Sequence, residues 1–408
     1  MDNYDLRPIT ENETYAFFRC FEKAFGHDHH EDEAKLEREL VELGRTIAVV
    51  HERDGIVGTA LSVRRELGIP GGTVPAAHVT AVSVAGTHRR RGLLRRMMTR
   101  QLTDLAGTDE PVAVLWPSEP PIYGRYGYGP ATYTLEFDAD NRELTLPAAT
   151  RPYGFLREVE LPDALKLLAG IFDAARVGRP GMSGRDAATW RIRTADFEHR
   201  REGRSGLRTI VHEGPDGPDG YAWYRIGRHG DATGPQGRVH VAEVVATDLD
   251  AYRELWRYLL DIDLTRRVQY DFGTLDEPLL HLVSDPRRLG ARRTDGISLR
   301  ILDLPAALTE RRYPVPVDAV LEVTDEVLPG NAGRWHLLAD GDVRSCERTD
   351  RPADVSLSIA ELGAAYLGGT TLASFAVAGR ATELRPGTLA PLSAGFGADR
   401  APAAIEVF

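Results

Sequence analysis

The sequence predicts an α/β and α+β protein: two successive α/β regions of one plan, the second eroded, and then a region of different, α+β texture. Three observations carry this. Helices, a hairpin of strands, a long strand, a helix and a further strand follow one another in that order twice along the chain. The step from long strand to helix is rich in arginine and glycine in the first pass and acidic in the second. Beyond about Asp303 the order changes to a short helix, spaced strands and closing helical stretches. At 408 residues the chain is also too long for one hydrophobic core.

In the first region an apolar helical pattern covers Tyr15 to Phe25, and a helix-like stretch with charged outer residues runs from Asp32 to Leu43. Alternating β-branched residues at Thr46 to His51 and Ile56 to Arg64 flank Asp54-Gly55, a strong hairpin signal. His78 to Val84 reads as a strand, and Arg91 to Leu105 as a helix with Leu93, Leu94, Met97, Met98 and Leu102 on one side. Val112 to Trp116 is a short buried strand, and after a Pro-Gly-Tyr segment the strand Ala131 to Phe137 closes the layer.

Pro147, Pro152 and the polar cluster between Asp140 and Tyr153 mark a boundary. Beyond it, helices are expected around Asp163 to Ala175, Asp186 to Phe197 and Leu249 to Ile262. Strands are expected at Leu207 to Val211, Tyr221 to Ile226, Val239 to Thr247 and Val268 to Phe272. The last region carries strands at Val317 to Val323, Arg334 to Ala339 and Val355 to Ile359. The expected domains are residues 1–145, 146–302 and 303–408. The closing Ala404-Ile405-Glu406-Val407-Phe408 is apolar enough to pack rather than fray.

Charge narrows the function. A formal charge of −11, from 50 Lys and Arg against 61 Asp and Glu, argues against a nucleic-acid binder and against a polybasic membrane anchor, and suits cationic small molecules. Cys20 and Cys346 are the only cysteines, too few for a disulfide framework or a cysteine-rich zinc site, so a reducing compartment is expected. Met1 to Arg7 is acidic and polar, and no apolar run reaches the roughly 18 residues of a membrane span. The expectation is a cytoplasmic protein without a signal peptide.

The chemistry concentrates in Val82-Ser83-Val84-Ala85-Gly86-Thr87-His88-Arg89-Arg90-Arg91-Gly92-Leu93-Leu94, a strand that turns and opens a helix. A helix start presents unpaired N–H groups and the positive end of its dipole, Gly92 lets a diphosphate approach the main chain, and the arginines add charge. There is no G-x-G-x-x-G and no Gly-Lys-Ser, so neither dinucleotide nor nucleotide fingerprint is present. The same residues also fit an arginine-rich surface turn. The corresponding turn of the second region, Ala246-Thr247-Asp248-Leu249-Asp250, has no glycine and two acids, which repel a phosphate.

The Arg-x-x-Gly turn after Val82-Ser83-Val84 resembles the coenzyme A pyrophosphate loop of GCN5-related N-acetyltransferases. His88 to Leu94, together with Ile122-Tyr123-Gly124-Arg125-Tyr126-Gly127-Tyr128-Gly129-Pro130, resembles the Eis (enhanced intracellular survival) aminoglycoside acetyltransferases, and the resemblance spans the whole chain. It implies tandem GCN5-related N-acetyltransferase folds, the second degenerate, followed by a sterol-carrier-protein-like domain. It also implies acetyl-CoA as co-substrate, no metal, a homohexamer, and a terminal Phe carboxylate, here Phe408, supplied to the active site.

Carried over by position, the resemblance implies that Val82 and Val84 offer backbone groups to the pantetheine arm. Arg89, Arg90, Gly92, Leu93 and Leu94 then belong to the pyrophosphate turn, and Ser118 lies near the thioester. Leu94 stands where the general acetyltransferase pattern prefers Gly or Ala, as it does in the Eis group. Tyr123 is the expected general acid: a phenol of pKa ~10 lies above the ~8.5 of a thiol, so it stays protonated yet can serve a departing sulfur. Tyr126 and Tyr128 read as packed aromatics. The Phe408 carboxylate, with a pKa of ~3.5, is a weak base for an ammonium of pKa ~10, so a water or geometry role is expected of it.

The acceptor is less well marked. His27-Asp28-His29-His30-Glu31-Asp32-Glu33 fits an acidic lip for a polycationic amine with Asp28 in it, a metal site, or a plain helix start favoured by the dipole. Glu406 is the acid nearest the terminal Phe, one position earlier than in Eis-like chains, and is the other expected substrate contact. Ala81 replaces a bulky aromatic of the related enzymes, which implies a differently shaped pocket. Cys20 and Cys346 lack the setting of a nucleophile, so the leading reading is direct attack on acetyl-CoA by a primary amine of a multiply cationic acceptor such as an aminoglycoside. Two alternatives stand beside it: acetylation of a protein lysine or N-terminus, and a non-catalytic hydrophobic-ligand binder.

Overall fold

The structure, a computed structural model, describes residues 3–147 and 154–408. Pro152 and Tyr153, part of the expected boundary, and Met1 and Asp2 of the acidic start lie outside the described residues. Two compact units account for the chain. One holds the described residues up to Thr132, Gly296–Pro402 and Val407–Phe408; the other holds those between Tyr133 and Asp295 and Ala403–Glu406.

In the first unit, β1 (Tyr4–Arg7) pairs antiparallel with β2 (Thr46–His51), and α1 (Thr14–Phe25) and α2 (Glu31–Arg38) lie between them in sequence. Phe17 and Phe18 of α1 are buried against Ala48, Leu61 and Ala81. The second helix is shorter than its charge pattern suggests, ending at Arg38. Strands β3 (Gly55–Ile69) and β4 (Gly72–Val84) extend well past the alternating segments, because Pro70 and Gly71 close them in a tight turn with Ile69 opposite Gly72. Gly71 sits at φ 86, which a side chain resists. Next come α3 (Leu93–Leu105), β5 (Val112–Leu115), α4 (Pro120–Tyr123) and β6 (Gly129–Pro130).

The chain then enters the second unit with β7 (Tyr133–Asp140), β8 (Phe155–Val159), α5 (Leu161–Arg176), α6 (Ala187–Thr194), β9 (Arg208–Gly214) and β10 (Gly217–Gly227). A small hairpin of β11 (Gly230–Asp231) and β12 (Gly234–Pro235) leads to β13 (Gly237–Ala246), α7 (Leu249–Leu260), β14 (Thr265–Gly273), α8 (Leu279–Leu282) and β15 (Arg292–Asp295). The sheet runs β15-β7-β14-β13-β10-β9-β8. Apolar residues recurring along α7, Leu255, Trp256 and Leu259, are buried on Ala222, Tyr224 and Tyr270 of that sheet.

Returning to the first unit, β16 (Ser298–Ile301) inserts between β5 and β6, giving the order β1-β2-β3-β4-β5-β16-β6. The remainder, α9 (Leu304–Glu310), β17 (Val317–Thr324), β18 (Gly333–Asp340), β19 (Val343–Arg348), β20 (Val355–Ser358), α10 (Ile359–Ala365), α11 (Leu372–Val377), β21 (Ala381–Glu383) and α12 (Leu389–Gly395), builds its own five-stranded sheet, β19-β18-β17-β20-β21.

Two expectations are corrected here. The strand expected to close the first layer belongs to the other sheet, as β7, and the strand that completes the first sheet comes from Ser298–Ile301. The unit boundary therefore falls after Thr132 and not near residue 145. Local pattern cannot reveal this, because β7 and β16 alternate equally well for either sheet; pairing is decided by partners far away in sequence. Thr132 pins the return of the chain: its hydroxyl accepts from the Ile297 N–H at 2.9 Å and its carbonyl from the Gly296 N–H at 3.0 Å. Among the described residues no helix is long and apolar enough to cross a membrane.

Candidate active site

The site begins with a fault in the first sheet. Strands β4 and β5 pair in parallel only from Ala76 to His78 against Val112 to Val114. Beyond that point β4 keeps its pairing to β3, but with a bulge opposite Ala60 where Ala81 adopts φ 51. The Thr59 hydroxyl donates to the Ala81 carbonyl at 2.7 Å and holds the bulge. Because Ala85 N–H bonds to Val57 O on the β3 side, alternation turns the main-chain groups of Val82 and Val84 toward the opening. An extended ligand arm can add there as a strand would.

The opening leads to the turn. Gly86–His88 form a tight helical turn, Arg90 takes φ 62 and Gly92 φ 75, and α3 starts at Leu93 with no side-chain cap. Gly92 supplies the left-handed residue without cost, whereas Arg90 carries strain of the kind found at ligand clamps. Arg89, Arg90 and Arg91 are exposed. Arg89 Nε donates to the Val84 carbonyl at 3.4 Å, and Arg91 donates to Tyr4 Oη at 2.7 Å and to the Thr87 carbonyl at 3.1 Å. Leu93 is buried beside Met97 and Leu94 is half-buried, so their side chains anchor the helix while their N–H groups remain at its bare start.

Tyr123 lies at the end of α4, buried among Ala77, Val79, Tyr126 and Tyr128. Burial raises its pKa, and a hydrogen bond from the exposed Ser118 partly opposes the rise. The phenol is thus held protonated. Tyr126 and Tyr128 are packed aromatics. The glycines of this string are fixed by close approach: a Cβ on Gly127 would stand 2.7 Å from Ile359, and one on Gly129 would stand 1.9 Å from the Ala360 carbonyl of α10.

Phe408 reaches the same strand. The Thr80 hydroxyl donates to the main-chain oxygen of Phe408 at 3.0 Å, and the Phe408 ring lies edge-on to His78, 4.6 Å between centroids, with the Arg65 guanidinium 6.0 Å from it. Ala77 and Val79 share the Tyr123 face of β4, and alternation puts His78 and Thr80 on the other. Phenol and terminal group thus occupy opposite faces of β4, beside the opening.

In the second unit the equivalent place is filled. Strand β13 parts from β14 after Val241, and β10 and β13 shift register between Trp223 and Tyr224. Buried Glu243 takes a bidentate pair from Arg185, at 3.0 and 2.6 Å, and a bond from Tyr221 Oη at 2.5 Å. Burial opposes the Glu243 charge, and Arg185, Arg193 and the Tyr221 hydroxyl together more than offset it, leaving its pKa below the usual range. Arg185 Nε also donates to Glu406 at 2.5 Å and its plane stacks 3.9 Å from Phe172. Glu406, the other expected substrate contact, is buried in an ion-paired cluster with Arg185 and Arg193, and Ala403 and Ile405 pack beside it. The helix start is closed too, since the Asp248 carboxylate caps α7 by accepting from the N–H groups of Asp250 and Ala251.

Asp28 is exposed in the loop between α1 and α2, and Glu31, Asp32 and Glu33 form the first turn of α2, as the helix-start reading holds. The three loop histidines do not converge; His29 pairs with Glu22 at 2.9 Å. Sequence reasoning missed Thr80 and His78 as partners of Phe408, the Arg185 cluster, and Arg300, which pairs with Asp325 behind the tyrosine string. It also missed Glu37 of α2, whose pKa burial and the neighbouring Glu22 push up to about 7. None of these has a local motif.

A strand that leaves its parallel neighbour at a bulge and feeds an anion-binding turn at a bare helix start defines a GCN5-related N-acetyltransferase, an enzyme class that uses acetyl-CoA. Residues 5–131 and 181–301 each match the acetyltransferase (GNAT) domain family, and residues 304–404 the sterol carrier protein domain family. More particularly, the chain belongs to the Eis family of N-acetyltransferases. It is 35% identical over 370 residues to the N-acetyltransferase Eis of Mycobacterium bovis, covering 87% of this chain and 88% of that one. It matches the crystal structure of Eis1 from Mycobacterium abscessus with a TM-score of 0.84 and 33% identity, over 99% and 100% of the two chains. An uncharacterized N-acetyltransferase of Streptomyces avermitilis is 41% identical over 402 residues, 98% of each chain.

Proposed function

We propose that the protein transfers acetyl from acetyl-CoA to a primary amine of a multiply cationic small molecule, an aminoglycoside being the model acceptor, by direct attack in a ternary complex. The observation that carries this reading is the placement of Phe408 on Thr80, across β4 from the face that packs Tyr123. The residues fit the co-substrate: the main-chain groups of Val82 and Val84 take the arm, and the N–H groups of Leu93 and Leu94 with Arg89 and Arg90 take the pyrophosphate. Acetyl-CoA supplies the activated thioester.

The chain supplies acid, base and charge. Tyr123, kept protonated by burial, donates to the sulfur as it leaves. The Phe408 carboxylate, oriented by Thr80, accepts the amine proton directly or through a water, which requires an amine already partly desolvated. Acids around α1 and α2, Asp28, Glu22 and Glu37, set a negative potential on the helices of the acceptor side; a bound cation favours ionised Glu37. The Eis-like homohexamer is part of this reading.

Thiol release from acetyl-CoA with an aminoglycoside and polyamine panel tests it. Native chain turns over, while Tyr123→Phe and a chain lacking Phe408 each lose about 10²- to 10⁴-fold in kcat, the range of a general acid or base. Full activity in either variant contradicts the assignment, and competition by a lysine-rich peptide but not by polyamines moves the acceptor to proteins.

A further inference from the structure

Near the root of the acyl-CoA turn, but outside the acetyl-transfer machinery, two imidazoles converge on one carboxylate oxygen. His51 at the end of β2 and Asp54 in the turn that follows stand with Nδ1 and Oδ2 2.8 Å apart, and His88, the residue before Arg89, brings Nε2 to 3.2 Å from the same Oδ2. The three atoms all lie within 4.8 Å of one another. We propose that His51, Asp54 and His88 form a divalent transition-metal site, with zinc(II) the fitting ion.

Four features argue for an ion and not a hydrogen-bonded cluster alone. The donor set, two imidazole nitrogens and one carboxylate oxygen, is that of an open zinc site, and ligand atoms about 2.1 Å from zinc at tetrahedral corners lie roughly 3.4 Å apart, near the 2.8 and 3.2 Å that separate the two imidazoles from Asp54 Oδ2. Hydrogen bonding leaves one atom unexplained: His51 Nδ1 is buried and makes no hydrogen bond, although Asp54 Oδ2 stands 2.8 Å from it.

The outer shell is already built. His88 Nδ1 lies 3.0 Å from Tyr4 Oη, which also accepts from Arg91, so a proton held on Nδ1 frees Nε2 for a metal. The Tyr4 ring packs on both imidazoles, at 5.0 and 5.7 Å between centroids, and fixes their planes. Finally, access is graded: His88 is buried, His51 nearly so, and Asp54 is 55% exposed, which leaves an entry path and a fourth position for water.

Such an ion ties β1, the β2–β3 turn and the acyl-CoA turn together at one point. Because it binds the folded chain and not the separated ligands, it raises the melting temperature. The test uses the intact chain, stripped with a chelator and titrated with cobalt(II) as an optical probe, then with zinc(II) in a thermal melt. The expected result is visible d–d bands that saturate at a single cobalt per chain, and a rise of about 3 °C or more with zinc in excess. His51→Ala and Asp54→Asn, both away from the acetyl-transfer residues, lose the bands at least tenfold in affinity while their far-ultraviolet dichroism matches the native chain. Absence of the bands in the native chain, or bands of equal affinity in both variants, overturns the proposal and leaves a hydrogen-bonded cluster.

Discussion

In the first sheet β4 leaves β5 after His78, and the helix that follows starts at Gly92 without a cap; in the second, β13 leaves β14 after Val241, and its helix starts at Asp248, whose carboxylate takes two of the free N–H groups. The backbone plan is shared and the chemistry is not. In the first copy the opening is lined by outward main-chain groups and exposed arginines. In the second, Arg185, Arg193, Glu243, Tyr221 and Glu406 occupy the equivalent place, two guanidinium groups against two carboxylates. The second copy thus differs from the first in two separable ways, a capped helix start and a filled opening, and each works against a bound phosphate or extended arm.

Breaking the filled opening has the largest expected effect. Arg185→Met leaves buried Glu243 and Glu406 sharing Arg193, 3.1 and 3.7 Å away, as their remaining cation, and costs about 3–5 kcal/mol in the unfolding of the intact chain. Adding Glu243→Gln to that variant recovers part of the loss, and a double variant as unstable as the single one argues that Arg185 acts through its stacking on Phe172 instead.

A second prediction sharpens the picture of α1 and α2 in the first copy. Glu37 has its folded pKa raised to about 7 against an unfolded value of about 4.3, so the folded chain binds the extra proton between those values. Its contribution is intact below about pH 4.3 and is lost as pH rises to about 7. Glu37→Gln should therefore stabilise the chain at pH 8 by about 1–3 kcal/mol and do nothing at pH 4. Denaturant titrations at the two pH values decide it; equal effects at both remove the Glu37 titration from the account.

The smallest effect separates the two routes of loss. Asp248→Ala removes the cap of α7 and costs about 1 kcal/mol, yet it creates no acetyl-CoA site because the opening stays filled. Appearance of a new site in calorimetry shows that the cap alone closes the second copy.

Much of this was legible from residues alone, and the limits have a physical pattern. The strand-turn-helix step at Val82 to Leu94 is contiguous, so its glycine, arginines and helix start could be read directly, as could the acids at Asp248 and Asp250. The exchange of β7 and β16 between sheets could not, because alternation specifies a face and not a partner. The pairing of Glu406 was hidden for the same reason: a charge near the terminus looks free until Arg185, more than two hundred residues away, is brought to it. Thr80 and His78 sit on a strand of ordinary appearance, and only the fold presents Phe408 to them.

The most direct test of the central claim is calorimetric titration of acetyl-CoA into the native chain and into Gly92→Asp, which gives the first helix start the kind of carboxylate that closes the second. The account predicts a single binding site per chain, abolished or weakened at least a hundredfold by Gly92→Asp with the fold retained. Two sites per chain, or binding unchanged in that variant, would contradict it.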